Sequence, residues 1–229
     1  SFASHALTYA RNLVHVPDDF PLELAGPLGC GVQTGAGAIM RSMACEAGSA
    51  LVITGGGSVG LSAVMGAAIR RCAVIIVVEP YAERRALALE FGATHVIDPL
   101  SEADLAAAIR AIIPEGIGYA LDTTGRPDIL RAILASLAPR GLLGLVGIAA
   151  PGTALPAEVN ALMTLGHRIM GIIEGDSDPA TFIPELMEHY RAGRLPFDRM
   201  ISTYPLSQIN DAARDQHDGR CIKAVLLPD

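Results

Sequence analysis

Short, mostly uncharged runs rich in β-branched residues recur along the chain and are separated by segments that mix apolar and polar positions. Six runs have this character: Leu51 to Ile53, Val74 to Val78, His95 to Ile97, Tyr119 to Leu121, Gly141 to Ile148 and Arg168 to Ile173. Such runs are typical of strands that are buried on both faces of a parallel sheet. The pattern therefore predicts an α/β fold, a doubly wound sheet of six parallel strands in the order 3-2-1-4-5-6.

The segments between these runs have the helical spacing expected of crossover connections. Gly92 is predicted to end one helix, and Ser101 is the predicted N-cap of the next. The predicted helices cover residues 59–70, 80–91, 101–112, 127–137 and 156–165. Before the first run, residues 13–16 resemble a strand, and residues 22–41 have a helical pattern that glycines and a proline interrupt.

The pattern divides the chain into three parts. The sheet pattern defines a domain at residues 31–174. Residues 1–30 resemble the edge of another domain, and residues 175–229 shift to a more polar composition. The predicted elements of this tail are helices at 179–192 and 207–216 and strands at 201–204 and 221–227. We expect the tail to be a separate unit or to return to the neighbouring domain.

A glycine-rich turn follows the first predicted strand. Gly55, Gly57 and Gly60 give the spacing G-x-G-x-x-G between a strand and a helix. In this motif the first glycine turns the chain, the second lets the backbone approach a pyrophosphate, and the third allows close packing of helix and strand. The phosphates would lie at the helix N-terminus, next to Ser58. The turn therefore predicts a dinucleotide site.

An acidic residue, Glu79, ends the second predicted strand, nineteen positions after Gly60. A carboxylate at this place can accept hydrogen bonds from both hydroxyls of an adenosine ribose. A 2′-phosphate would meet a negative charge there, so the sequence favours NAD over NADP.

The bulk composition narrows the class of partners. The chain has 229 residues, of which 51% are hydrophobic, a net charge of −7, and no basic cluster longer than an arginine pair. These features exclude a basic surface of the kind that binds nucleic acid or an anionic membrane. No apolar run approaches a membrane span of ~20 residues, and the N-terminal residues lack a signal-peptide pattern. We expect a soluble cytoplasmic protein with a small polar partner.

The four cysteines, Cys30, Cys45, Cys72 and Cys221, form no C-x-x-C pair, so reduced thiols are expected. Cys45 and Cys72 are interpreted as structural. Cys30 lies between two glycines, which expose it or let another group approach closely. The six histidines show neither H-x-x-x-H nor H-E-x-x-H spacing and are interpreted as surface or internally satisfied residues.

Four stretches of the sequence resemble the zinc-dependent medium-chain alcohol dehydrogenases, and most closely their aryl-alcohol (benzyl-alcohol) branch. They are Gly-Pro-Leu-Gly-Cys-Gly-Val-Gln-Thr-Gly-Ala-Gly (26–37), Gly-Gly-Gly-Ser-Val-Gly-Leu-Ser-Ala-Val-Met (55–65), Glu-Phe-Gly-Ala-Thr-His-Val-Ile-Asp (90–98) and Gly-Leu-Val-Gly-Ile (144–148). The resemblance covers nearly the whole chain. It implies zinc-assisted hydride transfer that interconverts a primary alcohol, expected to be aromatic, and its aldehyde with NAD.

The resemblance also implies roles for individual residues. Cys30 matches the third ligand of the catalytic zinc, Thr34 a contact beneath the nicotinamide, and Val59 the aliphatic residue that packs on the ring. Glu79 matches the ribose carboxylate, although the family usually has Asp there. The remaining matches are Arg84 beside the adenosine ribose, Arg126 on the adenine side, Lys223 near the pyrophosphate, and Val146, Gly147 and Ile148 at the carboxamide.

Several of these residues also allow a simpler interpretation. An isolated cysteine is usually a small buried thiol. Thr124, with Asp122, ends a strand on the cofactor side and fits a plain turn equally well. Arg84 fits a solvated helix face.

In the family, the dinucleotide-binding domain is inserted between the two parts of a catalytic domain. The resemblance therefore implies that this chain is truncated and that the other catalytic ligands, a Cys and a His, and a four-cysteine structural zinc lobe belong to sequence that precedes it. Because a catalytic zinc site needs three protein ligands, we expect zinc to be absent or weakly bound, and NAD to bind without useful turnover.

Two other functions remain open at this point. One is a zinc-independent quinone or enoyl reductase of the same superfamily, and the other is a non-catalytic dinucleotide-binding module. The family pairs its subunits through the last strand of the sheet, so the resemblance also implies a homo-oligomer formed through Arg168 to Ile173, whose edge would otherwise lie open.

Overall fold

The computed structural model of the chain describes residue 3 and residues 5–228. The outermost positions of the predicted first and last parts, residues 1, 2, 4 and 229, lie outside the described residues. None of the helices that the described residues form is both long and apolar enough to cross a bilayer.

A long helix over residues 22–42 precedes the sheet. Its consecutive segments are α1 (Leu22–Pro27), the π-helical Leu28–Val32, α2 (Gln33–Gly37) and the π-helical Ala38–Ser42. The backbone stays right-handed helical at each junction, so the predicted helix runs through its glycines and Pro27 without a break. Pro27 lacks an N–H group, and the wider i→i+5 turn follows it directly.

A six-stranded sheet forms the centre of the molecule. Its order is β3-β2-β1-β4-β5-β6, and every neighbouring pair is parallel. The strands are β1 (Ala50–Thr54), β2 (Val74–Val78), β3 (His95–Ile97), β4 (Ile117–Asp122), β5 (Leu137–Leu145) and β6 (Arg168–Gly171). The predicted doubly wound α/β fold is confirmed.

Helices connect the strands of the sheet. They are α3 (Ser58–Ile69), α4 (Ala82–Glu90), α5 (Leu105–Ile112), α6 (Pro127–Ser136) and α7 (Val159–Leu165). The central strand β1 is buried on both faces: Leu51 and Ile53 belong to one hydrophobic cluster, and Val52 belongs to the other. Alternation along a strand places these side chains on opposite faces of the sheet.

Close contact between the long helix and α3 depends on Gly35. A Cβ atom at that position would lie 2.0 Å from the carbonyl oxygen of Val59. A side chain would therefore push the two helices apart. Gly35 therefore serves this approach and does not end the helix.

The C-terminal part packs against the long helix. It contains α8 (Pro179–Arg191), β7 (Ile201–Pro205), α9 (Ile209–His217) and β8 (Lys223–Leu227), and β7 and β8 pair as a small parallel sheet. Leu24, Ile39 and Phe182, from the three predicted parts of the chain, are buried in one hydrophobic cluster. The division at 1–30, 31–174 and 175–229 stays a prediction.

Two local predictions are wrong. Among the described residues no strand precedes β1, so residues 13–16 belong to no sheet. Val14 and Val16 instead pack against the main hydrophobic cluster. Helix α5 begins after Asp104 rather than Ser101, because the Asp104 side chain accepts a hydrogen bond from the Ala107 N–H at 3.0 Å. Asp is a strong N-cap, and its carboxylate replaces the predicted hydroxyl.

The predicted ends of two strands also differ from the structure. Strand β5 ends at Leu145, so Val146, Gly147 and Ile148 lie beyond it, and β6 ends at Gly171 rather than Ile173. In both places the chain continues at the carboxyl edge of the sheet, where loops can form a site.

Candidate functional site

The glycine-rich turn lies at the carboxyl edge of the sheet, between three neighbouring strands. Thr54, the last residue of β1, is in register with Val78 of β2 on one side and Asp122 of β4 on the other. The Gly55 N–H donates to the Val78 carbonyl at 2.9 Å. Gly55 has φ +94°, which favours glycine, and a Cβ there would lie 2.3 Å from the Thr123 hydroxyl oxygen.

Helix α3 starts directly after this turn and directs its N-terminus at the edge of the sheet. Gly60 allows the tight connection, because a Cβ there would lie 1.8 Å from the Gly55 carbonyl oxygen. Gly57 is the N-cap and makes no side-chain cap hydrogen bond, and nothing lies within 4 Å of its Cβ position. The first N–H groups of a helix have no partner within it. The backbone beside Gly57 and Ser58 is therefore open to an anion.

Glu79 lies opposite this turn and is 3% exposed. Its two carboxylate oxygens accept separate backbone hydrogen bonds, Oε2 from the Gly56 N–H at 2.5 Å and Oε1 from the Tyr81 N–H at 2.9 Å. These bonds fix the orientation of the carboxylate. Each oxygen keeps a further lone pair with which it can accept a ligand hydroxyl.

A cavity of about 780 Å³ opens beside Glu79. Five of the sequence-predicted cofactor residues line it together: Gly55, Glu79, Arg84, Thr124 and Arg126. The volume lies within the range of ordinary ligand sites. Sequence reasoning missed Tyr81 and Arg131, which also line it. Tyr81 directly follows Glu79-Pro80, and its place next to the acidic residue is the signal that could have identified it.

The two neighbouring arginines of α4 have different roles. The Arg84 guanidinium lies 4.7 Å from the centre of the Tyr81 ring, and its buried Nε has no hydrogen-bond partner. Arg85 instead donates to the carbonyls of Glu79 and Pro80 at 2.8 and 2.7 Å and pairs with Asp98 at 3.2 Å. Arg84 therefore has an unused donor at the cavity, whereas Arg85 holds the loop that carries Glu79.

The turn after β4 forms the other wall of the cavity. Asp122 is buried and accepts hydrogen bonds from the hydroxyls of Thr54 and Thr124 at 2.6 and 2.7 Å and from the Gly125 N–H at 2.8 Å. It organises the turn, as the plain-turn interpretation expects. Thr124 belongs to this network and also lines the cavity.

Arg126 is exposed and pairs with Asp128 at 2.8 Å. The hydrogen bond raises the pKa of Arg126 and lowers that of Asp128. An exposed pair of this kind contributes little to stability, and Arg126 remains at the rim of the cavity.

Cys30 and Thr34 lie one turn apart on the long helix, with different surroundings. The Cys30 thiol is exposed. Thr34 is buried, and its hydroxyl donates to Glu174 Oε2 at 3.2 Å. Val59, at the start of α3, lies beside this helix, because a Cβ at Gly31 would be 3.9 Å from its side chain.

Glu174 is a residue that sequence reasoning missed. It follows β6 and also accepts a hydrogen bond from Gln33 Nε2 at 2.8 Å. Its φ of +50° is unusual for a residue other than glycine. An unusual backbone of this kind often marks functional segments. The Glu-Gly-Asp sequence directly after a predicted strand is the signal that could have identified it.

The remaining candidates lie outside the lining of the cavity, as do Cys30, Thr34 and residues 57–60. The N–H groups of Val146 and Gly147 donate to the Asp122 carbonyl at 2.9 and 3.0 Å. Ile148 follows and is 97% exposed. Lys223 lies in β8, in the small second sheet. The structure therefore brings the adenosine-side candidates together around the cavity.

Within the part of the chain that the structure describes, no three His, Cys, Asp or Glu side chains cluster as a metal site. Cys30 is the exposed thiol among the sequence-predicted site residues. A single thiolate does not satisfy the three-ligand requirement of catalytic zinc.

Sequence comparisons with known proteins all indicate the same protein family. The sequence profile of the family described as zinc-binding dehydrogenase matches residues 58–190. Geraniol dehydrogenase of Castellaniella defragrans is 47% identical over 227 residues, which are 99% of this chain and 61% of that protein. A probable alcohol dehydrogenase of a Pseudomonas species is 48% identical over 183 residues, 77% of this chain and 57% of that protein.

Solved structures agree with this. The crystal structure of benzyl alcohol dehydrogenase from Acinetobacter calcoaceticus superposes with a TM-score of 0.91 at 40% identity, over 94% of this chain and 59% of that chain. An alcohol dehydrogenase zinc-binding domain protein from Burkholderia ambifaria gives 0.90 at 49% identity, over 93% and 57%. The chain thus spans about three fifths of the length of the relatives that it matches.

Proposed function

The chain belongs to the zinc-binding dehydrogenase family, and we propose that it is the NAD-binding part of an alcohol dehydrogenase that interconverts a primary alcohol and its aldehyde. Relatives named for geraniol and benzyl alcohol support this choice. Both are primary alcohols whose carbinol carbon is attached to an unsaturated carbon. An aromatic alcohol, as the sequence resemblance implies, is the proposed substrate, and the cytoplasm is the proposed location.

The observation that carries the proposal is the convergence of Gly55, the first residue of the glycine-rich turn, with Glu79 and Arg84 around one cavity. The diphosphate of NAD would accept hydrogen bonds from the N–H groups at the start of α3. The ribose hydroxyls would donate to Glu79. Arg84 has an unpartnered Nε for the adenosine side.

The same arrangement favours NAD over NADP. A 2′-phosphate would approach the Glu79 carboxylate, which is buried and already fixed by two backbone N–H groups. Two like charges in such a place repel by about 4 kcal/mol per unit charge at 4 Å and an effective dielectric constant of 20. The adjacent Arg84 would offset a part of this repulsion.

NAD supplies the hydride acceptor at C4 of its nicotinamide. Thr34 is the proposed contact below that ring, and the hydrogen bond to Glu174 fixes its hydroxyl. Val59, at the junction of the long helix and α3, would pack against the ring. The backbone of residues 146–148 would bind the carboxamide.

Zinc assistance is proposed for the whole protein rather than for this chain by itself. The described residues offer Cys30 but no cluster of three ligands. The remaining ligands would have to come from outside the described residues, and we propose that the 229-residue chain alone binds NAD without useful turnover.

A homo-oligomer is part of the same proposal. Strand β6 ends the order of the six-stranded sheet and pairs with β5 on its inner side. Ile173, which follows β6, is 79% exposed, and Met163 of the preceding helix is 71% exposed. An uncovered strand edge next to exposed apolar side chains favours pairing with a second copy. A monomer in sedimentation velocity would contradict this.

Two experiments test the proposal. Calorimetric titration of the 229-residue chain should give binding of NAD that is tighter than binding of NADP. An activity assay with benzyl alcohol, followed by the absorbance of NADH, should give turnover with the whole protein and none with the 229-residue chain. Equal or tighter binding of NADP would contradict the proposed preference for NAD. Ordinary turnover by the 229-residue chain after zinc loading would contradict the proposal that this chain alone binds NAD without useful turnover.

The alternative within the superfamily is a zinc-independent quinone or enoyl reductase, and the exposed Cys30 at the matching position argues against it. Metal analysis of the whole protein distinguishes the two. A non-catalytic dinucleotide-binding module would bind NAD and show no dehydrogenase activity even as the whole protein.

A further inference from the structure

Two cysteines far from the cofactor cavity lie next to each other. Cys45 is in the loop between the long helix and β1, and Cys72 is in the turn between α3 and β2. The Cys72 sulfur lies 4.0 Å from the carbonyl oxygen of Glu46, the residue directly after Cys45, and each thiol is the largest influence on the pKa of the other. The sequence alone indicates two structural cysteines.

The two backbone segments that carry these thiols are bonded to each other. The Gly48 N–H donates to the Arg71 carbonyl at 2.8 Å, and the Ala73 N–H donates to the Ser49 carbonyl at 2.9 Å. The Arg70 Nε donates to the Cys45 carbonyl at 2.9 Å. These hydrogen bonds hold the loop that carries Cys45 against the turn that carries Cys72.

Both cysteines follow a residue with an unusual backbone conformation. Ala44 has φ +45° and Arg71 has φ +60°. Residues other than glycine adopt such values at a cost, and they persist where the surrounding structure requires them. Here the same left-handed step precedes both cysteines of the pair.

The two thiols differ in access and in acidity. Cys72 is partly exposed, whereas Cys45 is buried. The neighbouring Cys45 thiol lowers the pKa of Cys72 to about 6, and the Ser49 hydroxyl, 3.5 Å from the Cys72 sulfur, and the charge of Arg70 act in the same direction. The neighbouring Cys72 thiol and burial raise the pKa of Cys45. Cys72 is thus the attacking thiolate and Cys45 the resolving thiol.

We propose that Cys45 and Cys72 form a redox-active thiol pair that a low-molecular-weight disulfide, such as oxidised glutathione, converts reversibly to an intramolecular disulfide. The Cys72 thiolate attacks one sulfur of the oxidant, the oxidant's S–S bond breaks, and one glutathione thiolate leaves with the electron pair and takes up a proton. Cys45 then loses its proton to solvent, attacks the Cys72 sulfur and displaces the second glutathione. The Cys72 thiolate and the Cys45 thiol together lose two electrons and one proton, the second glutathione thiolate also takes up a proton from solvent, and one oxidised glutathione becomes two reduced molecules.

Peptide mapping of the 229-residue chain tests this. The reduced, folded chain is incubated with oxidised glutathione, free thiols are blocked at low pH, and the chain is digested with trypsin without reductant. Cleavage after Arg70 and Arg71 separates residues 42–70, which contain Cys45, from residues 72–84, which contain Cys72. The expected product is a disulfide-linked pair of these peptides that dithiothreitol releases.

The two single variants distinguish the steps. Cys72→Ser should abolish the linked pair, and Cys45→Ala should leave Cys72 as a stable mixed disulfide with glutathione. In the wild-type chain, iodoacetamide should alkylate Cys72 with a midpoint near pH 6 and, at pH 6, about 10-fold faster than in the denatured chain. Cys45→Ala should move that midpoint upward. The peptide with the exposed Cys30, in the same digest, is the control and should show only the mixed disulfide.

Three outcomes would overturn the proposal. They are a mixed disulfide on Cys72 with no linked peptides in the wild-type chain, no reaction at either cysteine, and a link that forms equally well in the denatured chain. Circular dichroism of the variants checks their folding. Even if a variant fails to fold, the digest of the wild-type chain shows whether the Cys45–Cys72 disulfide forms.

Discussion

Replacing Glu79 by glutamine perturbs the cofactor cavity at the point that would hold the adenosine ribose. The Glu79 carboxylate accepts the Gly56 N–H at 2.5 Å and the Tyr81 N–H at 2.9 Å, each on its own oxygen. Glutamine has one acceptor oxygen instead of two. One of the backbone N–H groups would therefore face an amide NH₂ group and lose its partner.

Two magnitudes follow from this geometry. A buried N–H group without a partner lowers the free energy of unfolding by about 1–3 kcal/mol. A hydrogen bond to a charged carboxylate is about twice as strong as a hydrogen bond to a neutral amide. The substitution should therefore weaken the binding free energy of NAD, through the ribose hydroxyls, by about 1–2 kcal/mol. At 1.4 kcal/mol per factor of ten, the Kd for NAD should rise about 5- to 30-fold. The preference for NAD over NADP should fall, because the negative charge that repels a 2′-phosphate is gone.

Calorimetry with NAD and NADP measures both effects, and urea denaturation measures the stability. Glu83→Gln is the matched control, since Glu83 is an exposed carboxylate on α4 that does not line the cavity. It removes the same charge four positions further along and should leave the Kd within about twofold, as expected of an exposed surface charge. A folded Glu79→Gln chain with unchanged NAD affinity and unchanged NADP discrimination would refute the assignment of Glu79.

Three other substitutions test the neighbouring contacts. Gly35→Ala should destabilise the chain by about 3 kcal/mol in urea denaturation, because its Cβ would lie 2.0 Å from the Val59 carbonyl oxygen. The control is Gly29→Ala, whose Cβ would have nothing within 4 Å and which should change stability by no more than about 1 kcal/mol. Equal effects of the two substitutions would contradict the close contact between the long helix and α3. Arg84→Leu should weaken NAD binding about 10-fold, as expected for loss of a charged donor, whereas Arg85→Leu should mainly lower the melting temperature; the reverse result would exchange their roles. Thr34→Val should weaken the binding of NAD but not of ADP-ribose in calorimetry, and equal loss for both would argue against a contact with the nicotinamide.

The sheet was predictable because its central strands, β1, β2 and β4, are mostly buried. An uncharged, β-branched run such as Val74 to Val78 fits few structures other than a buried strand. The order of the strands follows from the repeated crossover connections. The glycine-rich turn and Glu79 were predictable for a related reason. A tight turn between a strand and a helix restricts its residues more than a surface loop does.

Contacts made by residues distant in sequence were not predictable. Glu174 accepts hydrogen bonds from Gln33 and Thr34, which lie about 140 positions earlier in the sequence. Cys45 and Cys72 interact although β1 and α3 separate them in the sequence. Neither pair leaves a periodic pattern. The strand predicted at residues 13–16 failed for the opposite reason, because a local β-branched pattern exists there without a partner strand.

A crystal structure of the 229-residue chain with bound NAD tests the central claim most directly. We expect the diphosphate to lie against the backbone N–H groups of residues 57–60 and the adenosine ribose hydroxyls to bind Glu79. A dinucleotide bound elsewhere, or an empty cavity at saturating NAD, would contradict the claim.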